Sequence, residues 1–197
     1  MRPSTRRLVR LVVAALFPAI VTVLGQVAVP LPFIPVPITG QTLGVMLAGA
    51  LLGSRLGFLS MALFVALVAA GLPLLSAGKG GIGALLGPTG GYVVGFPLAA
   101  GVTGWLVERF ERGGRPVGTV KLFVAIAAGG LVVEYAMGAS WLAVVADLSP
   151  AQALVSGVLP FIPGDVAKAV LAAVLAAAVR RAYPVRQRLD GLPMGRS

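Results

Sequence analysis

Pro160-Phe161-Ile162-Pro163-Gly164-Asp165-Val166-Ala167-Lys168 opens an apolar run that continues to Val179. On a helix an i, i+3 pair projects from one face, so Asp165 and Lys168 present an acceptor and a cation side by side at the mouth of a segment suited to lipid. Ionisable side chains in such a segment usually face the protein interior and mark a substrate or ion path. The pair is therefore the first candidate for a site. The plainer alternative is a self-neutralising pair that only fixes helix packing, although a salt bridge in a dry place seldom repays its desolvation.

Composition points the same way. The 197 residues are 58% hydrophobic and 11% charged, with a mean hydropathy of +0.98, whereas a soluble domain carries about 25% charged residues. The fold class expected is all-α, a polytopic membrane bundle over residues 1–183, followed by a polar and disordered cytoplasmic tail over 184–197. The chain has neither cysteine nor histidine, which removes disulfides, thiolate metal sites and the commonest general base. No metal site is expected.

Apolar runs predict six spans: Leu8 to Val29, Ile38 to Gly53, Leu56 to Leu72, Gly90 to Val107, Thr119 to Val145 and Phe161 to Ala182. Several fall short of the ~20 residues that cross a bilayer upright, so residues 38–72 read either as two spans or as one long hairpin. The fifth is long and contains Glu134, Gly138 and Trp141, so its outer end is expected to bend or to lie in the interface. Arg6, Arg7 and Arg10 ahead of an apolar run resemble the start of a signal peptide, but the run continues past the usual length and reads as the first span.

The net charge of +10 and pI near 11.5 are a topology signal. With six spans and a cytoplasmic amino terminus, 14 of the 16 basic residues fall on the inner side, leaving only Lys79 and Lys168 elsewhere. The positive-inside rule thus favours both termini inside. Attraction to anionic lipid or to an acidic partner is a second use of the same residues.

Three connections then face outward, at 30–37, 73–89 and 146–160. The first has proline at four of its eight positions, which gives a stiff extended segment, either a lid over a cavity or an interfacial tether. The second is glycine-rich. Gly78, Gly80 and Gly83 match G-x-G-x-x-G formally, but no βαβ unit surrounds them, and Lys79 lacks the following Ser or Thr of a Walker loop. ATP hydrolysis by this chain is not expected. In the first span Ala15 and Ala19 form a small-xxx-small pair that serves either internal packing or the close approach of a partner helix, and Pro18 is expected to kink the helix.

The chain resembles the BioY family, the biotin-specific S components of energy-coupling-factor (ECF) transporters. The resemblance rests on Pro35-Val36-Pro37-Ile38-Thr39-Gly40-Gln41-Thr42, on Leu86-Gly87-Pro88-Thr89-Gly90-Gly91-Tyr92 with Gly95-Phe96, on Trp141-Leu142, and on Pro160 to Asp165 with Lys168. It implies a six-helix bundle with an outward-facing biotin site capped by external loops. It implies substrate contacts from Asp165 and Lys168, with Gly80, Gly81, Gly90, Gly91, Tyr92, Phe33, Gln41 and Trp141 contributing. Ala15 and Ala19 become a docking motif for a transmembrane coupling subunit, whose two partner ATPases use the ATP; some family members work without them. The roles of Lys79 and Glu134 are left open.

Biotin's ureido ring offers two N–H donors and a carbonyl, its thioether ring is apolar, and its valerate ends in a carboxylate. Asp165 is suited to accept ureido N–H bonds, and Lys168 to meet either the ureido carbonyl or the valerate. Phe33, Tyr92 and Trp141 are candidate walls for the bicyclic ring. The rival readings are an intramembrane enzyme using Asp165, Lys168 and Glu134, a structural membrane protein without a ligand, and an S component for another vitamin.

Overall fold

The computed structural model describes residues 3–29, 36–112 and 117–182, so Phe33 and the expected tail at 184–197 lie outside the described residues. Helix α1 spans Pro3–Gly25, α2 Gln41–Leu52 and α3 Ser54–Ala69; a short α4 covers Ile82–Leu86, and α5 covers Gly90–Glu111. Helix α6, Thr119–Ala127, runs through a π-helical stretch, Ala128–Val133, into α7, Glu134–Val145; α8, Pro150–Gly157, and α9, Ile162–Ala182, complete the set. Three of these helical stretches, Gly90–Glu111, Thr119–Val145 and Ile162–Ala182, are long and apolar enough to cross a membrane, and Leu11–Gly25, Gln41–Leu52 and Ser54–Ala69 are shorter apolar helices.

Helix α5 is the most enclosed of the long helices and packs against α2, α3 and α7. Small residues let it approach closely. A Cβ on Gly49 of α2 would lie 2.6 Å from the Ala100 carbonyl, and one on Gly104 would overlap Gly53 and Ser54. Gly53 (φ 82°) alone separates α2 from α3, which resolves residues 38–72 into two helices. The break is locked by Glu108, whose carboxylate accepts from Ser54 N at 2.8 Å and Ser54 Oγ at 2.9 Å. Those two bonds and the Arg180–Glu111 ion pair fasten the end of α5, which continues past the expected limit at Val107 to Glu111.

One core of Phe17, Val21, Val45, Phe64 and Phe96 fills the space between α1, α2, α3 and α5. A second, of Met46, Leu122, Ile126 and the alanines of α9, joins α2, α6 and α9. Pro18 has no N–H to give the Ala14 carbonyl, and the Ser60 hydroxyl of α3 donates to that oxygen instead at 2.5 Å. The carbonyl left free by proline is thereby satisfied within the bundle.

Several expected ends move. The first span stops at Gly25, not Val29, and the second begins at Gln41, not Ile38, because β1 (Ala28–Val29) and β2 (Ile38–Thr39) pair antiparallel. Gly40 makes the approach possible, since a Cβ there would sit 2.6 Å from the Leu24 carbonyl. The third helix ends at Ala69, ahead of Gly71 at φ 98°. The long stretch Thr119–Val145, α6 through α7, keeps its expected limits, and its irregularity lies at its middle rather than its outer end. There Gly129 abuts Thr103 and Gly130 abuts Met46, so neither position has room for a side chain. The connection 146–160 contains α8, entered through a capping box of Ser149 and Gln152. Its S-x-x-Q pattern was readable in the sequence.

Candidate functional site

A cavity of about 300 Å³ opens among α2, α5, α7, α9 and the glycine-rich connection. That is the lower end of the ~300–1,000 Å³ usual for small-molecule sites. Its inner end is polar and its flank is made by Val93, Phe96 and Phe161.

The polar end is one network. Lys168 Nζ donates to Asp165 Oδ1 at 2.7 Å, to the Thr39 carbonyl at 2.6 Å and to Thr42 Oγ1 at 3.2 Å, so its three protons meet three acceptors. Asp165 Oδ2 accepts from the Tyr135 hydroxyl at 2.7 Å. The Asp165 residue is 4% exposed. Pro163 in the first turn of α9 costs no helical bond there, and the Asp165 amide closes on the Phe161 carbonyl at 2.8 Å. The carboxylate thus leaves the helix near its amino end, where the helix dipole favours negative charge.

Glu134 and Tyr135 reach the same cavity from α7, directly after the π-helical stretch. A π turn inserts an extra residue into the helix and so re-aims the side chains that follow it. Glu134 is 2% exposed. Lys79 lines the cavity from the glycine-rich connection and is itself solvent-exposed, which places it toward the mouth.

Of the residues expected at the site, Asp165, Lys168, Tyr92 and Gln41 line the cavity. Gln41 Nε2 points to the Leu74 carbonyl at 3.5 Å, in space that a side chain at Gly25 would take. Tyr92 lies flat against Gly138 and donates its hydroxyl to the Gly157 carbonyl at 2.6 Å, tying α5 to α8. Gly80, Gly81, Gly90, Gly91 and Trp141 stand behind the wall rather than on it. Gly80 abuts Leu72, and Gly81 (φ 84°) bonds the Val68 carbonyl. Gly90 and Gly91 make room for Trp141, whose Nε1 donates to the Gly87 carbonyl at 2.9 Å and so holds the loop. Ala15 and Ala19 are exposed on the outside of α1, away from the cavity.

Thr39 and Thr42, which the sequence shows only as part of the Pro35 to Thr42 motif, and Tyr135 join the network as well. Thr39 acts through its backbone carbonyl, which no residue type reveals. The signal for Tyr135 was its neighbour, an acidic residue inside an apolar span.

The BioY family model matches residues 1–185. A protein of Rhizobium etli named biotin transporter BioY is 49% identical over 178 residues, covering 89% of this chain and 95% of its own length. The biotin transporter BioY of Rhodobacter capsulatus is 44% identical, over 86% of this chain and 92% of that one. A crystal structure described as the S-component for biotin from an ECF-type ABC transporter superposes with a TM-score of 0.84 at 32% identity, covering 92% of this chain and 95% of that chain. With a family model spanning nearly the whole chain and relatives of this closeness, the chain belongs to the BioY family.

Proposed function

We propose that this chain takes up biotin, binding it from the outer side of the membrane and delivering it inward as the S component of an ECF-type transporter. The observation that carries the reading is the Asp165–Lys168–Tyr135 network, with Asp165 buried, on the wall of a cavity of vitamin size. Lys168 and Asp165 neutralise each other, so the inner end offers strong hydrogen-bonding groups without a free cation to hold an anion. That suits a neutral ureido ring. On binding, its carbonyl takes the place of one present acceptor of Lys168 or Tyr135, its N–H groups donate to carboxylate, and the thioether ring packs on Phe96 and Phe161. The valerate is kept from the two carboxyl groups of the inner end and meets Lys79 near the mouth.

In this reading the six apolar helices all span the cell membrane with both termini inside, and the arginine-rich connections hold that orientation. The chain acts as a carrier rather than an enzyme. Energy comes from two ATPase subunits through a transmembrane coupling subunit. The exposed face of α1, where Ala15 and Ala19 lie among exposed Leu11, Val12, Leu16 and Val23, is its docking surface.

A thermal-shift panel of vitamins on the detergent-purified protein tests the substrate. Biotin is expected to raise the melting temperature in a concentration-dependent manner, with thiamine and riboflavin without effect. Stabilisation by another vitamin alone would move the chain to a different substrate.

A further inference from the structure

Among the described residues two buried side-chain oxygens have no hydrogen-bond partner, Thr103 Oγ1 and Glu134 Oε2. Thr103 lies against Gly129 and does not line the cavity. Glu134 does line it, and the residue is 2% exposed. The groups around it are committed elsewhere. Lys168 spends its protons on Thr39, Thr42 and Asp165, and the Tyr135 hydroxyl is turned to Asp165. A carboxyl oxygen out of water without a donor is costly, and such groups in native proteins call for an explanation.

We propose that Glu134 reads the ligand: its Oε2 accepts one ureido N–H of biotin, a contact distinct from those made by the Asp165–Lys168 pair. The inference rests on the biotin reading above. An N–H donor is the part the protein itself does not supply, and the ureido ring carries two such donors on a rigid plane. The π-helical stretch 128–133 sets the aim. It places Glu134 and Tyr135 on the cavity together, one to meet the ligand and one to steady Asp165. A carboxyl held unpaired for a ligand lowers the stability of the empty protein, so its removal has opposite effects on stability and affinity.

The test compares the parent, Glu134→Met and Glu134→Gln in detergent, by calorimetric titration with biotin and with two derivatives, each methylated on one ureido nitrogen. Ligand-free melting temperature is recorded alongside. Glu134→Met is expected to bind biotin about 10- to 100-fold more weakly, to melt no lower than the parent, and to lose the parent's discrimination against one of the two derivatives. Glu134→Gln keeps the shape and serves if the methionine variant does not fold; it is expected to weaken biotin several-fold at an unchanged melting temperature. Parent-like affinity in the folded variants overturns the inference alone, as does affinity lost together with melting temperature, the mark of a structural role. A parent that binds no biotin overturns the underlying reading and the inference with it.

Discussion

Lys79 and Lys168 both line the cavity, and they are placed for different work. Lys168 is surrounded by three acceptors, one of them a carboxylate at 2.7 Å, so a ligand carboxylate gains little from it. Lys79 is exposed near the mouth and free to turn toward an anion. Lys79→Met is therefore expected to weaken biotin by about 0.5–1 kcal/mol, the scale of an exposed ion pair, and to leave the affinity for biotin methyl ester unchanged. Comparable titrations with acid and ester check this, and an equal loss for both would remove the valerate from Lys79. Asp165 and Lys168 were legible in the sequence because charge in an apolar helix is rare. The partners that complete the network were not, since Thr39 is 129 residues away in sequence and contributes only backbone.

The elements were legible where continuous apolar runs decided them and illegible where a distant segment did. Thr119–Val145 emerged with the expected limits, whereas the adjoining ends of α1 and α2 gave way to a pairing of residues 28–29 with 38–39. Hydropathy carries no information about such pairing. Nor does it distinguish the two uses of Ala15 and Ala19. Both are exposed on α1, so enlarging them fills no internal space, and the ~1–3 kcal/mol cost of overpacking does not apply. The Ala15→Leu/Ala19→Leu double variant is thus expected to keep the parent's melting temperature and biotin affinity while losing co-purification with a coupling subunit. A destabilised variant with impaired biotin binding would place the pair in internal packing after all.

At the scale of the whole molecule, the small residues of α5 and the glycines at 49, 53, 104, 129 and 130 bring the helices close without large side chains. Helix contact in lipid depends on such packing, because burial from water provides no drive between apolar helices there. The apolar surface left outside, including Val120, Val124, Val132, Val170 and Val174, faces lipid in this account. A labelled cysteine introduced at Ser76 and a reporter fused after Ser197 are expected on opposite sides of the membrane, following the arginine distribution. Their appearance on one side would undo the six-span arrangement.

The claim on which the rest depends is that the Asp165–Lys168 network holds biotin. Equilibrium binding of radiolabelled biotin to the purified parent and to Asp165→Asn, side by side, tests it most directly. The substitution keeps the shape of the side chain and removes the charge that strengthens its hydrogen bonds. Saturable binding by the parent is predicted, weakened in the variant by about 1.5–3 kcal/mol. Parent-like affinity in Asp165→Asn would contradict the account and leave the pair a structural one.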